Sequence, residues 1–137
     1  MPFLHVRLSG DEDPGITQKI CTGLTELTAG ILVKKQELIA IVVEYVDERR
    51  WIIGGIPPSQ HGTKTFFLEI KITEGTNTKD QKSTYVREVF KAMQSILGEL
   101  HPASYVIVHE INADSWGYGG YTQESRSMSR ITQAAMQ

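Results

Sequence analysis

Apolar and polar residues alternate along two stretches of this chain. Leu4, Val6 and Leu8 interleave with Phe3, His5 and Arg7; Phe66, Leu68, Ile70 and Ile72 interleave with Phe67, Glu69 and Lys71. A period of two is that of a half-buried strand, so strands are expected over Phe3–Leu8 and Thr65–Thr73. Each is followed by a helical period. Ile16, Ile20, Leu24, Leu27 and Ile31 share one face of a helix that Asp13 can cap and Pro14 can start. Val86, Val89, Phe90, Met93 and Leu97 form a second stripe, entered through a Thr78/Gln81 capping box and ended by Gly98. Apolar runs over Leu38–Val46 and Ser104–Ile111 then predict a further strand after each helix.

The pattern occurs twice. An offset of 65 residues aligns Gly10 with Gly75, Ile31-Leu32 with Ile96-Leu97, Trp51 with Trp116, and Gly54-Gly55 with Gly119-Gly120. We therefore read two β-α-β units, residues 2–55 and 65–120. A linker over 56–64 carries Pro57-Pro58 and His61-Gly62, and 121–137 form a tail. A helical connection of this length makes a right-handed crossover, so the two strands of each unit run parallel. Two such units related by a pseudo-twofold give an α+β fold, a four-stranded sheet with both helices on one face. The other face keeps apolar residues, which predicts an oligomer.

Composition narrows the function. The 137 residues suffice for one domain with a real core. A net charge of −2 without a basic run gives no reason to expect nucleic acid as a partner. The longest apolar stretch, Ile39–Val43, is too short to span a membrane, and no leader pattern is visible. The single cysteine, Cys21, excludes an intrachain disulfide and fits a reducing cytoplasm. His5, His61, His101 and His109 show no metal-ligand spacing. The Gly117-Tyr118-Gly119-Gly120 run is no phosphate loop, because it lacks a following helix and a lysine.

The chemistry points to residue 2. Initiator methionine is normally removed before a small residue, and proline qualifies. Pro2 would then carry a free secondary amine at the start of a strand, on a ring that fixes φ. An α-amino group titrates near ~7.7–8.0, and an apolar pocket lowers that further. A base poised near neutral pH suits proton abstraction. The plainer reading is a proline that merely starts an edge strand.

Pro2 heading the first strand, Gly10 ending it, the β-α-β unit and an aromatic residue before each Gly-Gly pair together resemble the tautomerase superfamily. This is the group of 4-oxalocrotonate tautomerase, and the resemblance covers residues 2 to about 120. The length is similar to its members with two units per chain. The resemblance implies a trimer and a cofactor-independent enzyme acting on a small enol or keto compound. It makes Pro2 the catalytic general base or acid. Hydration, dehalogenation or decarboxylation of a small acid by protonated Pro2 is the alternative enzyme reading. Phe67 stands where unit two would need its proline, which implies one site per chain.

The family holds its substrate carboxylate with arginines that do not recur here. Asp11 and Thr76 follow the strand-ending glycines, and Ala40 and Tyr105 begin the second strands. Either the substrate differs, another cation substitutes, or the chain is a non-catalytic oligomeric relative. Trp116 aligns with the family's active-site aromatic, with core packing as its other role. Tyr105 can offer a hydroxyl to a substrate oxygen. Arg49 and Arg50 can act from a neighbouring subunit. Arg126 and Arg130, four apart, would share one face of a helical tail. Lys71 can depress the amine's pKa or point to solvent.

Overall fold

The alternation in the first strand resolves as drawn. In the computed structural model, which describes residues 1–128, Leu4, Val6 and Leu8 are wholly buried, whereas Phe3, His5 and Arg7 face the other way. This strand is β1, Phe3–Ser9. Helix α1, Pro14–Ile31, follows; the Asp13 side chain accepts hydrogen bonds from the Gly15 and Ile16 amides. Strand β2 is Ala40–Val46, β3 is Phe66–Thr73, helix α2 is Lys79–Leu97 and β4 is Tyr105–Ile111. The capping box of α2 is complete: Thr78 Oγ1 accepts from the Gln81 amide, and Gln81 Oε1 accepts from the Thr78 amide.

Two boundaries move inward for a hydrogen-bonding reason. Strand β2 starts at Ala40 and not at Leu38, because Gln36–Leu38 form a 3₁₀ turn. The Leu38 and Ile39 amides are spent inside it, on the Lys35 and Gln36 carbonyls. Strand β3 starts at Phe66 because the Thr65 amide donates to Ser9 Oγ.

The sheet order is β2-β1-β3-β4. β1 runs parallel to β2 and β3 parallel to β4, while β1 and β3 are antiparallel. The two units thus join through their first strands. Both helices cover one face, where Ile20 and Leu24 of α1 and Tyr85, Val89 and Met93 of α2 meet the buried residues of β1 and β3. Each fully buried aliphatic side chain contributes roughly 1.5–3 kcal/mol. Inside this apolar layer one polar pair is closed on itself: Thr28 Oγ1 and Tyr85 Oη, 2.8 Å apart, bridge the helices.

The repeat extends to the turns. Gly54 and Gly55 have φ of 60° and 88°, and Gly119 and Gly120 have 59° and 86°. Two successive positive φ values are those of a tight hairpin turn and favour glycine at both places. The first pair is bracketed by an Ile53–Ile56 bridge. The second joins β5, Gly117–Tyr118, to β6, Tyr121–Thr122. Residues 123–128 are helical, and Arg130 lies outside the described residues. No helix among the described residues is long and apolar enough to cross a membrane.

The open face of the sheet carries charge in its middle and apolar residues at its edges. Arg7 lies 3.8 Å from Glu44 and 4.0 Å from Glu69, and His5 lies 2.8 Å from Glu44. Val42 on β2 and Tyr105 and Ile107 on β4 are exposed around them.

Burial pushes the Tyr85 phenol up to about 12 from 10.0, with the Thr28 hydrogen bond acting the other way. Between those values the unfolded chain has lost a proton that the folded chain keeps. Stability is therefore at its full value below about pH 10 and falls as pH rises towards 12, by about 1.4 kcal/mol per unit from this group. Tyr85→Phe should remove that slope in urea titrations at pH 8 and 11. It should also cost about 1–3 kcal/mol at pH 8, because the Thr28 hydroxyl loses its buried partner.

Candidate active site

Pro2 is buried at the head of β1. Its carbonyl accepts from the Ala40 amide at 3.3 Å, which ties it to the start of β2. Three consequences of topology converge there. The parallel crossover returns the end of α1 to this edge, bringing Val33, Lys34, Lys35 and Leu38. The antiparallel β1–β3 pairing brings the end of β3, with Thr73, Glu74 and Thr76. The C-terminal hairpin then folds back, bringing Gln123, Arg126 and Ser127. Together with Met1 and Ala113 these residues enclose a cavity of about 440 Å³. That size suits a small organic molecule.

The lining is cationic. Lys34 Nζ donates to Thr76 Oγ1 at 2.9 Å, and Thr76 Oγ1 donates to the Thr73 carbonyl. Burial lowers the Lys34 pKa from its ordinary value. Arg126 stacks 4.3 Å above the Tyr118 ring and its Nη1 lies 3.3 Å from Gln123 Oε1. Three cations, Lys34, Lys35 and Arg126, thus share the cavity with one carboxylate, Glu74. The Gln123 side-chain nitrogen is buried with no hydrogen-bond partner among the described residues. Its backbone amide donates to the Trp116 carbonyl at 2.8 Å.

The expected site residues fall at different places. Pro2 and Arg126 meet in this cavity. Trp116 is half-buried and holds the Gln123 backbone, but its side chain is not part of the lining. Tyr105 pairs with Phe67, at the end of the sheet away from Pro2. Phe67 lies opposite Arg7, four residues and so ~13 Å along β1 from Phe3. Arg49 also lies at that far end, where its guanidinium clamps Asp47 with a shortest contact of 2.6 Å. The guanidinium and the Arg49 backbone amide hold the Asp47 carboxyl well below the usual carboxylate range. Arg50 and Trp51 line a shallow groove there with Arg7 and Phe67. Lys71 lies on the open face, 3.9 Å from Glu69.

Sequence reasoning missed Lys34, Lys35 and Gln123. The repeat itself held the signal for the lysines. At the 65-residue offset Lys34-Lys35 align with Glu99-Leu100, so the basic pair belongs to the unit with the proline and is absent from the other.

A family model described as "Tautomerase enzyme" matches residues 67–125, the unit that lacks the proline. A probable tautomerase, K2, from Dickeya dadantii (strain 3937) is 32% identical over 60 residues, which cover 44% of this chain and 90% of that protein. Among solved structures, a fused 4-OT described as a symmetric trimer superposes with a TM-score of 0.79 at 14% identity, covering 90% of this chain and 98% of that one. A protein crystallised after inactivation by 2-oxo-3-pentynoate gives 0.80 at 10% identity, with the same coverage. A macrophage migration inhibitory factor-like protein from Entamoeba histolytica gives 0.73 at 21% identity, covering 88% of this chain and 97% of that one. The structures share the fold, the K2 relative is covered almost end to end, and on that sequence match the chain belongs to the tautomerase enzyme family.

Proposed function

We propose that this chain is a cofactor-independent tautomerase of small enol or keto acids, with Pro2, freed by loss of Met1, as its general base. The observation that carries this reading is the company Pro2 keeps: a buried proline in a cavity shared with Lys34, Lys35 and Arg126. Those cations replace the carboxylate clamp that the sequence lacks at Asp11, Thr76, Ala40 and Tyr105. They act as point charges or, for Arg126, as a fork for one carboxylate.

In the forward direction the neutral Pro2 nitrogen takes the proton from the enol hydroxyl. The O–H bond breaks and negative charge spreads over oxygen and the β-carbon. Lys34 stabilises the charge on oxygen. The Pro2 ammonium then gives its proton to carbon, a C–H bond forms, and the amine is regenerated. Nearby cations favour the neutral amine, because a like charge disfavours protonation. This supports the base over the acid reading, in which protonated Pro2 drives hydration, dehalogenation or decarboxylation.

Three chains would cover the open face, as the fused 4-OT trimer suggests. The apolar edges of that face, at Val42, Tyr105 and Ile107, favour burial. Tyr105 and Arg49 would reach a Pro2 only from a neighbouring subunit.

Intact mass should show Met1 removed; a preparation that keeps it should be inactive. With phenylenolpyruvate or 2-hydroxymuconate, Pro2→Ala should lower kcat/KM by roughly 10²-fold or more. Activity should rise with pH to a plateau as the amine loses its proton, and a fall over the same range would favour the acid reading. Lys34→Ala should both raise KM and lower kcat, because Lys34 meets the carboxylate and the charge that develops on oxygen. Treatment with 2-oxo-3-pentynoate should add one whole reagent mass to the N-terminal peptide, since addition of the amine to the triple bond expels nothing. Labelling elsewhere, with Pro2 untouched, would exclude Pro2 as the nucleophilic centre.

A further inference from the structure

Val33 has φ of 55° and is the one non-glycine residue with a positive φ among the described residues. A β-branched side chain is crowded in that conformation, which glycine normally supplies. The site explains the position but not the residue. Val33 follows Leu32, the C-cap of α1, where helices commonly end in a left-handed glycine. The other unit has a glycine at the matching place: Gly98, at the 65-residue offset, caps α2 with φ of 90° and ψ of −155°. The scaffold therefore accepts glycine at this junction, yet at the Pro2 end it carries a strained valine.

Burial does not offset the strain. The Val33 side chain is 73% exposed. It opens onto the cavity beside Lys34 and Leu38. Residues held in such conformations cluster at ligand sites, and this one lines a cavity without packing in the core.

The geometry points to Val33 as a specificity residue, whose isopropyl group forms the apolar wall against which the non-acidic end of the substrate lies. This rests on the cavity being the reaction chamber proposed above. The carboxylate end takes Lys34, Lys35 and Arg126, and the chain beyond the keto or enol carbon meets Val33 and Leu38. The ligand class is a 2-oxo or enol acid bearing an apolar substituent, in preference to a small, wholly polar one.

Phenylpyruvate and pyruvate are suitable probes, because they share the acid end and differ in the apolar end. Binding of each to the Met1-processed protein can be measured by calorimetry, with Val33→Gly and Val33→Asn as variants, both of which tolerate positive φ. Val33→Gly should raise Tm by roughly 2–5 °C. It should weaken phenylpyruvate by about 5- to 20-fold and leave pyruvate within about twofold. Val33→Asn should show the same loss of preference. An unchanged phenylpyruvate-to-pyruvate ratio in both variants would overturn the assignment, as would a wild type that binds neither acid. Turnover of phenylenolpyruvate is a separate readout. A wild type that binds with the expected preference but does not turn over would sink the tautomerase reading and leave the role of Val33 standing.

Discussion

The register between β1 and β3 is the constraint on which the rest depends. Among the described residues it is where the strands of the two units pair, from Phe3 to Leu8 on β1 and from Phe66 to Lys71 on β3. With Phe3 opposite Lys71 and Leu8 opposite Phe66, Leu4, Val6 and Leu8 fall on the same face as Phe66, Leu68, Ile70 and Ile72. A slip of one residue would turn the three buried side chains of β1, or the four of β3, to the wrong side of the sheet. The same register sets Pro2 beside the end of β3 and sends Phe67 to the far end. Core and cavity therefore follow from a single pairing.

The two ends of the molecule share a backbone plan but differ in side chains. Where one end has Pro2, Val33, Lys34 and Lys35, the offset positions hold Phe67, Gly98, Glu99 and Leu100. The turns have kept near-identical dihedral angles, so the differences are not differences of scaffold. The family model matches residues 67–125, the unit without the proline, and that unit still contributes Thr73, Glu74, Thr76, Ala113 and Gln123 to the Pro2 cavity. The features that distinguish the Pro2 end are read from individual residues.

Most of the fold was legible because local signals agreed with one another. Period-two and period-3.6 patterns, the Asp13 cap, the Thr78/Gln81 box and the terminal Gly98 each marked an element that the structure contains. The short 3₁₀ turn at Gln36–Leu38 was not, because its apolar Leu38 and Ile39 blend into the strand that follows. The cavity was legible only in its anchor. Pro2 and Arg126 could be named from sequence, yet Lys34 and Gln123 come together with Pro2 only through the crossover and the folded-back hairpin. Those contacts span 32 and 121 residues of chain, and no periodicity carries such information. Trp116 shows the converse: the sequence points to its side chain, which lies outside the lining, while its backbone carbonyl engages Gln123.

The uneven placement of charge has a kinetic side. The chain carries a net charge of −2, so an approaching anion meets on average a repulsive surface. Asp11, Glu12 and Asp47 line the depression at the far end, whereas Lys34, Lys35 and Arg126 gather around Pro2. The cavity mouth is thus a local patch of positive charge on a chain of net negative charge. Such a patch guides small anions during diffusion and weakens as dissolved ions shorten its reach. Encounter with an acid would then be fastest in dilute buffer, before any bond to the cavity wall has formed.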